Sequence, residues 1–115
     1  MLITSLKKRA DFLRLAKNGQ SIAAKGLVLQ AKESDRKTTE NTIHIGFTVT
    51  KKLGNAVVRN KIKRRLRALA SNIIKDFAKE SYDYVLIGRK AALERDFNDL
   101  KKDLKYALHA LNTHK

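Results

Sequence analysis

An α+β fold, one small sheet with helices packed against it, is what this sequence predicts. Three observations carry the prediction. Segments 27–32, 43–50 and 82–90 alternate or run apolar as strands do, bounded by turn-forming residues. Segments 6–17, 56–78 and 97–111 carry apolar residues at helical spacing. The two kinds interleave in a chain of 115 residues, the size of a single domain able to bury roughly two-thirds of its unfolded surface.

Each element has a local cause. In LKKRADFLRLAK, residues 6–17, Phe12, Leu15 and Ala16 share one side, and Asn18-Gly19 reads as a left-handed helix stop. In LVLQAK, Leu27, Leu29 and Ala31 face one way and Val28, Gln30 and Lys32 the other. The polar run 33–42 has no periodicity and reads as a hairpin loop. IHIGFTVT sends Ile43, Ile45, Phe47 and Val49 to a core and His44, Gly46, Thr48 and Thr50 to a small, polar opposite face. Gly46 inside a strand marks a bulge or a close backbone approach, the bulge being the commoner; beside His44 and Thr48 it makes a shallow trough for an extended chain. YDYVLIGRK is apolar enough to be covered on both faces, and it leaves the sheet at two cations, Arg89 and Lys90. Asp96 is placed to cap the last helix, whose outer charges are of mixed sign.

Between the second and third strand segments lies KKLGNAVVRNKIKRRLR, residues 51–67. Gly54-Asn55 makes a turn, and Asn55 is positioned to cap the helix that follows. At roughly 100° per residue, Val58, Ile62, Leu66, Leu69, Ile73 and Phe77 fall on one arc and Asn60, Lys63, Arg64, Arg67 and Lys75 on the opposite one, with Lys61 and Arg65 on one flank and Arg59 on the other. From Asn41 through Lys75 there is no Asp or Glu. A solvated helix face mixes signs to gain i,i+4 pairs, whereas Lys61 with Arg65 and Lys63 with Arg67 set like charges together at a cost of a few tenths of a kcal/mol each. That pattern points to a polyanionic partner, as does the net charge of +15.

Other classes are disfavoured. There is no cysteine, so disulfides and thiolate metal sites are excluded. The start MLITSLKKRADF lacks the apolar region and cleavage site of a secretory signal, no window approaches a membrane span, and the apolar arc of the basic helix is better used in a core than on lipid. A cytoplasmic location is expected. The eleven acids are scattered, and none forms a metal-ligand pattern with His44, His109 or His114. With no phosphate-cradling glycine loop and no nucleophile elbow, the chain alone reads as a binder.

GFTVTKKLGNAVVRNKIKRRLR, residues 46–67, resembles the signature of the bacterial ribonuclease P protein subunit, and ADFLRLAKNG and YDYVLIGRKAA resemble its flanking segments. The resemblance implies a two-layer α/β sandwich with a small mixed sheet and a left-handed βαβ crossover around the signature helix. It also implies an RNA-binding subunit of the ribonucleoprotein that removes the 5′ leader from precursor tRNA, with the catalytic centre and most of the Mg²⁺ held by the RNA, no organic cofactor, and one protein per RNA. Lys51, Lys52, Arg59, Asn60, Lys61, Lys63, Arg64, Arg65 and Arg67 are then expected to meet the catalytic RNA. Phe12, Val28, Gln30, His44, Gly46, Thr48, Arg89 and Lys90 are expected to meet the leader. Lys61 stands where the signature has a second Arg, and Ala16 and Gln30 stand where the groove has aromatics, which reduces the stacking on offer. A structural RNA binder such as a ribosomal protein, and a free-standing nuclease, are the competing classes.

Overall fold

The computed structural model describes residues 2–34 and 42–115. Five strands, β1 (Leu2–Ser5), β2 (Gln20–Ala23), β3 (Leu27–Glu33), β4 (Thr42–Thr48) and β5 (Tyr82–Gly88), form one mixed sheet in the order β1-β4-β5-β3-β2. Three helices accompany it: α1 (Arg9–Asn18), α2 (Ala56–Phe77) and α3 (Phe97–Ala110). β4 and β5 run parallel with α2 as their connection, whereas β3 is antiparallel to both β5 and β2.

Strand alternation decides which layer each residue joins. Leu27, Leu29 and Ala31 of β3, Ile43 and Ile45 of β4, and Tyr84 and Leu86 of β5 point to one face, where they form a core with Ile62, Leu66, Leu69 and Ile73 of α2 and Leu100, Leu104 and Leu108 of α3. α1 lies across the opposite face, with Leu15 and Leu6 on Val85 and with Phe12 and Ile87 alongside. The sandwich is thus the sheet on α2 and α3, with α1 as a partial cover on the other side.

Several local expectations are revised. β1 and β2 are two short edge strands that the sequence reading did not assign. The first helix begins only at Arg9, because Leu6 pairs through its N–H with the Ile45 carbonyl at 2.8 Å. The strands flanking the polar run 33–42 are not hairpin partners, since β5 is inserted between them; residues 35–41 of that run lie outside the described residues. Gly19 is extended (φ −85°, ψ 174°), not left-handed. A side chain there would meet the Leu15 and Ala31 carbonyl oxygens at 2.6 and 2.9 Å, so close backbone approach is what requires glycine. Gly46 keeps the ladder in register opposite Val85, so it is no bulge; the Phe12 ring sits where its Cβ would be, 2.6 Å away. Phe77, on the predicted apolar arc, is 40% exposed with the Lys105 ammonium 4.3 Å over its ring, while the next residue, Ala78, enters the core in its place.

Candidate nucleic-acid interface

The signature helix is fixed at its start by side-chain and backbone geometry. Gly54 adopts φ +149°, a conformation that L residues rarely take, and Asn55 caps the helix by accepting from the Val58 N–H at 3.0 Å. Ile62, Leu66, Leu69, Ala70, Ile73 and Ile74 then go inward. This inward arc divides the cations into three groups.

Asn60, Lys61, Arg64, Arg67 and Lys75 are exposed, as are Lys51 and Lys52 in the 3₁₀ turn before the helix. Among the described residues, no acid or carbonyl takes the side chains of Lys51, Lys52, Lys61, Lys63 or Arg64. Arg59 is half-buried with its Nε shielded and unpartnered. These groups form an uncompensated cationic surface of the kind that phosphates neutralise.

Arg65 departs from the expectation. Its guanidinium donates to the Ala92 carbonyl at 2.6 Å and to the Arg95 carbonyl at 2.5 Å, fastening the helix to the segment after β5. Arg89 and Lys90 differ in the same way: Arg89 donates to the Ala24 carbonyl at 2.8 Å, and Lys90 donates to the Leu53 carbonyl at 2.7 Å. Arg95 completes the lock, holding Asp103 through Nε at 2.7 Å and Nη2 at 3.0 Å while Asp103 also accepts from the Gly26 N–H. The hydrogen bond to Asp103 pushes the Arg95 pKa up.

The opposite sheet face carries the residues expected to meet a single strand, and register sorts them into rows. Thr48, Ile87 and Val28 lie side by side across β4, β5 and β3, all half-buried. Gly46, Val85 and Gln30 form the next row, partly under α1. His44 and Asp83 form the third. His44 is a correction: it is only 8% exposed, its Nδ1 stands 3.2 Å from Asp83 Oδ1, and Arg14 donates to the other Asp83 oxygen at 2.5 Å. Burial against a carboxylate makes His44 part of the anchorage of α1 and not a surface for a ligand.

Phe12, Gly46 and Thr48 therefore stand together, while Val28 and Gln30 lie two strands away and Arg89 and Lys90 are engaged elsewhere. The structure adds residues that the sequence reading placed otherwise. A cleft of about 380 Å³ is lined by Lys7, Arg9, Phe12, Phe47, Thr48, Val49 and Lys63. Beside it, a cleft of about 340 Å³ runs between Lys7, Phe12, Gly46, Phe47, Lys63 and Arg67. Alternation alone sends Phe47 to the core. Yet β1 pairs with β4 only as far as Ser5 opposite Ile45, so beyond that point Phe47 lies at an open strand edge, with the Arg67 guanidinium 6.0 Å from its ring centroid. The run Lys7-Lys8-Arg9 at the start of α1 is the feature of the sequence that marks this edge.

The ribonuclease P family model matches residues 3–112 of the chain. The chain belongs to the ribonuclease P protein family. The ribonuclease P protein component of Paramagnetospirillum magneticum is 46% identical over 104 residues, 90% of this chain and 78% of that protein. That of Ruegeria pomeroyi is 42% identical over 114 residues, 98% and 90% of the two chains. Among solved structures, the Staphylococcus aureus RNase P protein matches with a TM-score of 0.76 at 31% identity, over 96% of this chain and 97% of that one. The RNase P protein of Thermotoga maritima matches with a TM-score of 0.73 at 27% identity, over 93% and 94%. Ribonuclease P membership fits the geometry: unpartnered cations cover one helix face, and a groove with an aromatic floor adjoins it.

Proposed function

We infer that the chain is the protein subunit of a ribonuclease P ribonucleoprotein, working on precursor tRNA in the bacterial cytoplasm with one protein per RNA. The observation that carries this reading is the uncompensated face of α2, set against a groove that holds Phe12 and Thr48. Folded RNA is gripped through phosphates spread over a basic surface, and single-stranded RNA through a cationic groove with stacking residues. The outer face of Lys61 and Arg64, with Arg59 and Asn60, meets the catalytic RNA, and Lys51 and Lys52 extend that contact. The groove of Phe12, Gly46, Thr48 and Lys63 receives the 5′ leader, whose path continues along Thr48, Ile87 and Val28.

Hydrolysis is assigned to the RNA. The polar groups this chain presents around the groove are ammonium, guanidinium and hydroxyl, and among the described residues no three His, Cys, Asp or Glu side chains cluster as metal ligands. That set suits phosphate. Mg²⁺, held by the RNA and not by residues of this chain, would supply an activated water and stabilise developing charge. The chain's contribution is to orient the leader and to lower the electrostatic cost of bringing two polyanions together.

Reconstitution with a bacterial ribonuclease P RNA at low Mg²⁺ tests the reading. Leader removal from precursor tRNA is expected to accelerate when the protein is added. No acceleration rejects the assignment, cleavage by the protein alone favours a free-standing nuclease, and cosedimentation with ribosomal subunits without acceleration favours a structural RNA binder.

A further inference from the structure

On the α2 side of the sheet, around the open edge from the leader groove, lies a second cleft of about 340 Å³ between β1 and α2. Its size is at the small end of ligand clefts, which run from roughly 300 to 1,000 Å³. Ile3, Ile45, Phe47, Ala70 and Ile74 line it with apolar surface, and Ser5, Ser71 and Arg67 add two hydroxyls and a guanidinium. Ile3 is 40% exposed. Neither serine hydroxyl has a partner among the described residues, and β1 is the outermost strand, so one edge of its backbone is unpaired as well.

We propose that this cleft takes one unpaired nucleobase of RNA, stacked on Phe47 beneath the Arg67 guanidinium and read at its edge by Ser5 and Ser71. The proposal rests on the ribonuclease P reading and adds a base-binding site to it. The spacing supports it: bases stack about 3.4 Å apart, so a base held between two planar groups separates them by roughly 6.8 Å. Arg67 stands 6.0 Å from the Phe47 centroid, at the outer limit of a direct cation–π contact and a little short of that spacing. Arg67 is exposed and has no ion-pair partner among the described residues, so a small rotation opens the remaining gap. Flat apolar walls, edge hydroxyls and a guanidinium cap are the groups that recognise a base splayed out of an RNA helix. Among the described residues no acid lines the cleft, and Arg67 also borders the cationic leader groove, so a base brought by a polyanion is matched in charge. A second copy of this chain is disfavoured, because each copy carries a net charge of +15.

Ser71→Trp fills the cleft from an exposed helix position, and Phe47→Leu removes the ring while keeping apolar volume. Affinity for ribonuclease P RNA, alone and with precursor tRNA, is measured for both variants, with melting curves to confirm folding. Ultraviolet cross-linking of the wild-type protein to the same RNAs locates the base. Ser71→Trp is expected to weaken binding about tenfold with an unchanged salt slope, since stacking is lost and no phosphate contact is. A Phe47 cross-link that Ser71→Trp abolishes assigns the base to the catalytic RNA if it forms with that RNA alone, and to the leader if it needs precursor tRNA; one that survives Ser71→Trp belongs to the leader groove and overturns the proposal. A Ser71→Trp protein that binds both RNAs as tightly as wild type overturns the proposal, as does self-association of the wild type that Ser71→Trp abolishes. If wild-type protein still accelerates leader removal in those cases, only the cleft is refuted; if it does not, the family-based function fails instead.

Discussion

The two flanks of α2 bear cations of the same type with opposite fates. On one, Lys63 and Arg67 border open clefts and keep their charge toward solvent. On the other, Arg65 donates both terminal nitrogens to the carbonyls of Ala92 and Arg95, and Lys90 reaches the Leu53 carbonyl from across the same joint. One set is available to a partner; the other orients the helix that presents it. A carbonyl within reach decides which, because a guanidinium buried part-way gains more from two aligned acceptors than from water.

Arg65→Met gives the largest expected effect. Two charge-assisted hydrogen bonds are lost and two carbonyls lose their donors, which predicts a destabilisation of about 3 kcal/mol by chemical denaturation. The salt slope of RNA binding should stay as in wild type. Arg65→Lys should recover only part of the stability, since an ammonium lacks the planar fork. A slope that drops by about one unit with stability intact would move Arg65 into the RNA-facing set.

Asn55→Ala removes the helix cap and should cost about 1 kcal/mol. It frays the turn that carries Arg59 and Asn60, so stability and RNA affinity should decline together. A loss of stability with no loss of affinity would show that the first turn does not face the RNA.

Gly46→Ala places a methyl 2.6 Å from the Phe12 ring edge. The ring can swing into the groove, so the destabilisation should be about 1 kcal/mol, at the low end for overpacking. Binding of leader-bearing precursor tRNA should weaken more than binding of mature tRNA. Equal weakening would remove Phe12 from the leader path.

Arg64→Ala should change stability least, by no more than about 0.5 kcal/mol, because the side chain is exposed and nothing among the described residues holds it. Its signature is a salt slope reduced by about one unit. A marked drop in melting temperature would mean that the exposed face contributes to the fold as the Arg65 flank does.

Much of this molecule was legible in its residues. The period-two and helical patterns located β3, β4, β5, α2 and α3 to within a residue or two, and Asn55 and Asp96 cap their helices as their positions suggested. The residues misread share a cause. β1 and β2 are four residues each, too short to show a period; β1 depends on β4, distant in sequence, and β2 on its hairpin partner β3. Gly19 and Gly46 were interpreted from local preferences, whereas each is required by a group brought in from elsewhere: the Ala31 carbonyl for one, the Phe12 ring for the other. His44 was assigned to a surface because its face is polar, but that face is closed at this point by Asp83 from β5 and Arg14 from α1.

The residue order alone determined the amphipathic signature helix, its cap, and an anion-seeking charge that nothing nearby in the chain offsets. Tertiary structure decided which cations remain available, because that depends on carbonyls 27 to 65 residues away. It also decided where the stacking surface lies. β1 stops pairing at Ser5, so Phe47, which packs against the core as alternation predicts, stays only half-buried at the edge of the sheet and meets Arg67 there. Hydrogen-bond reach and the end of a strand pairing are properties of three-dimensional distance, and no period along the chain encodes them.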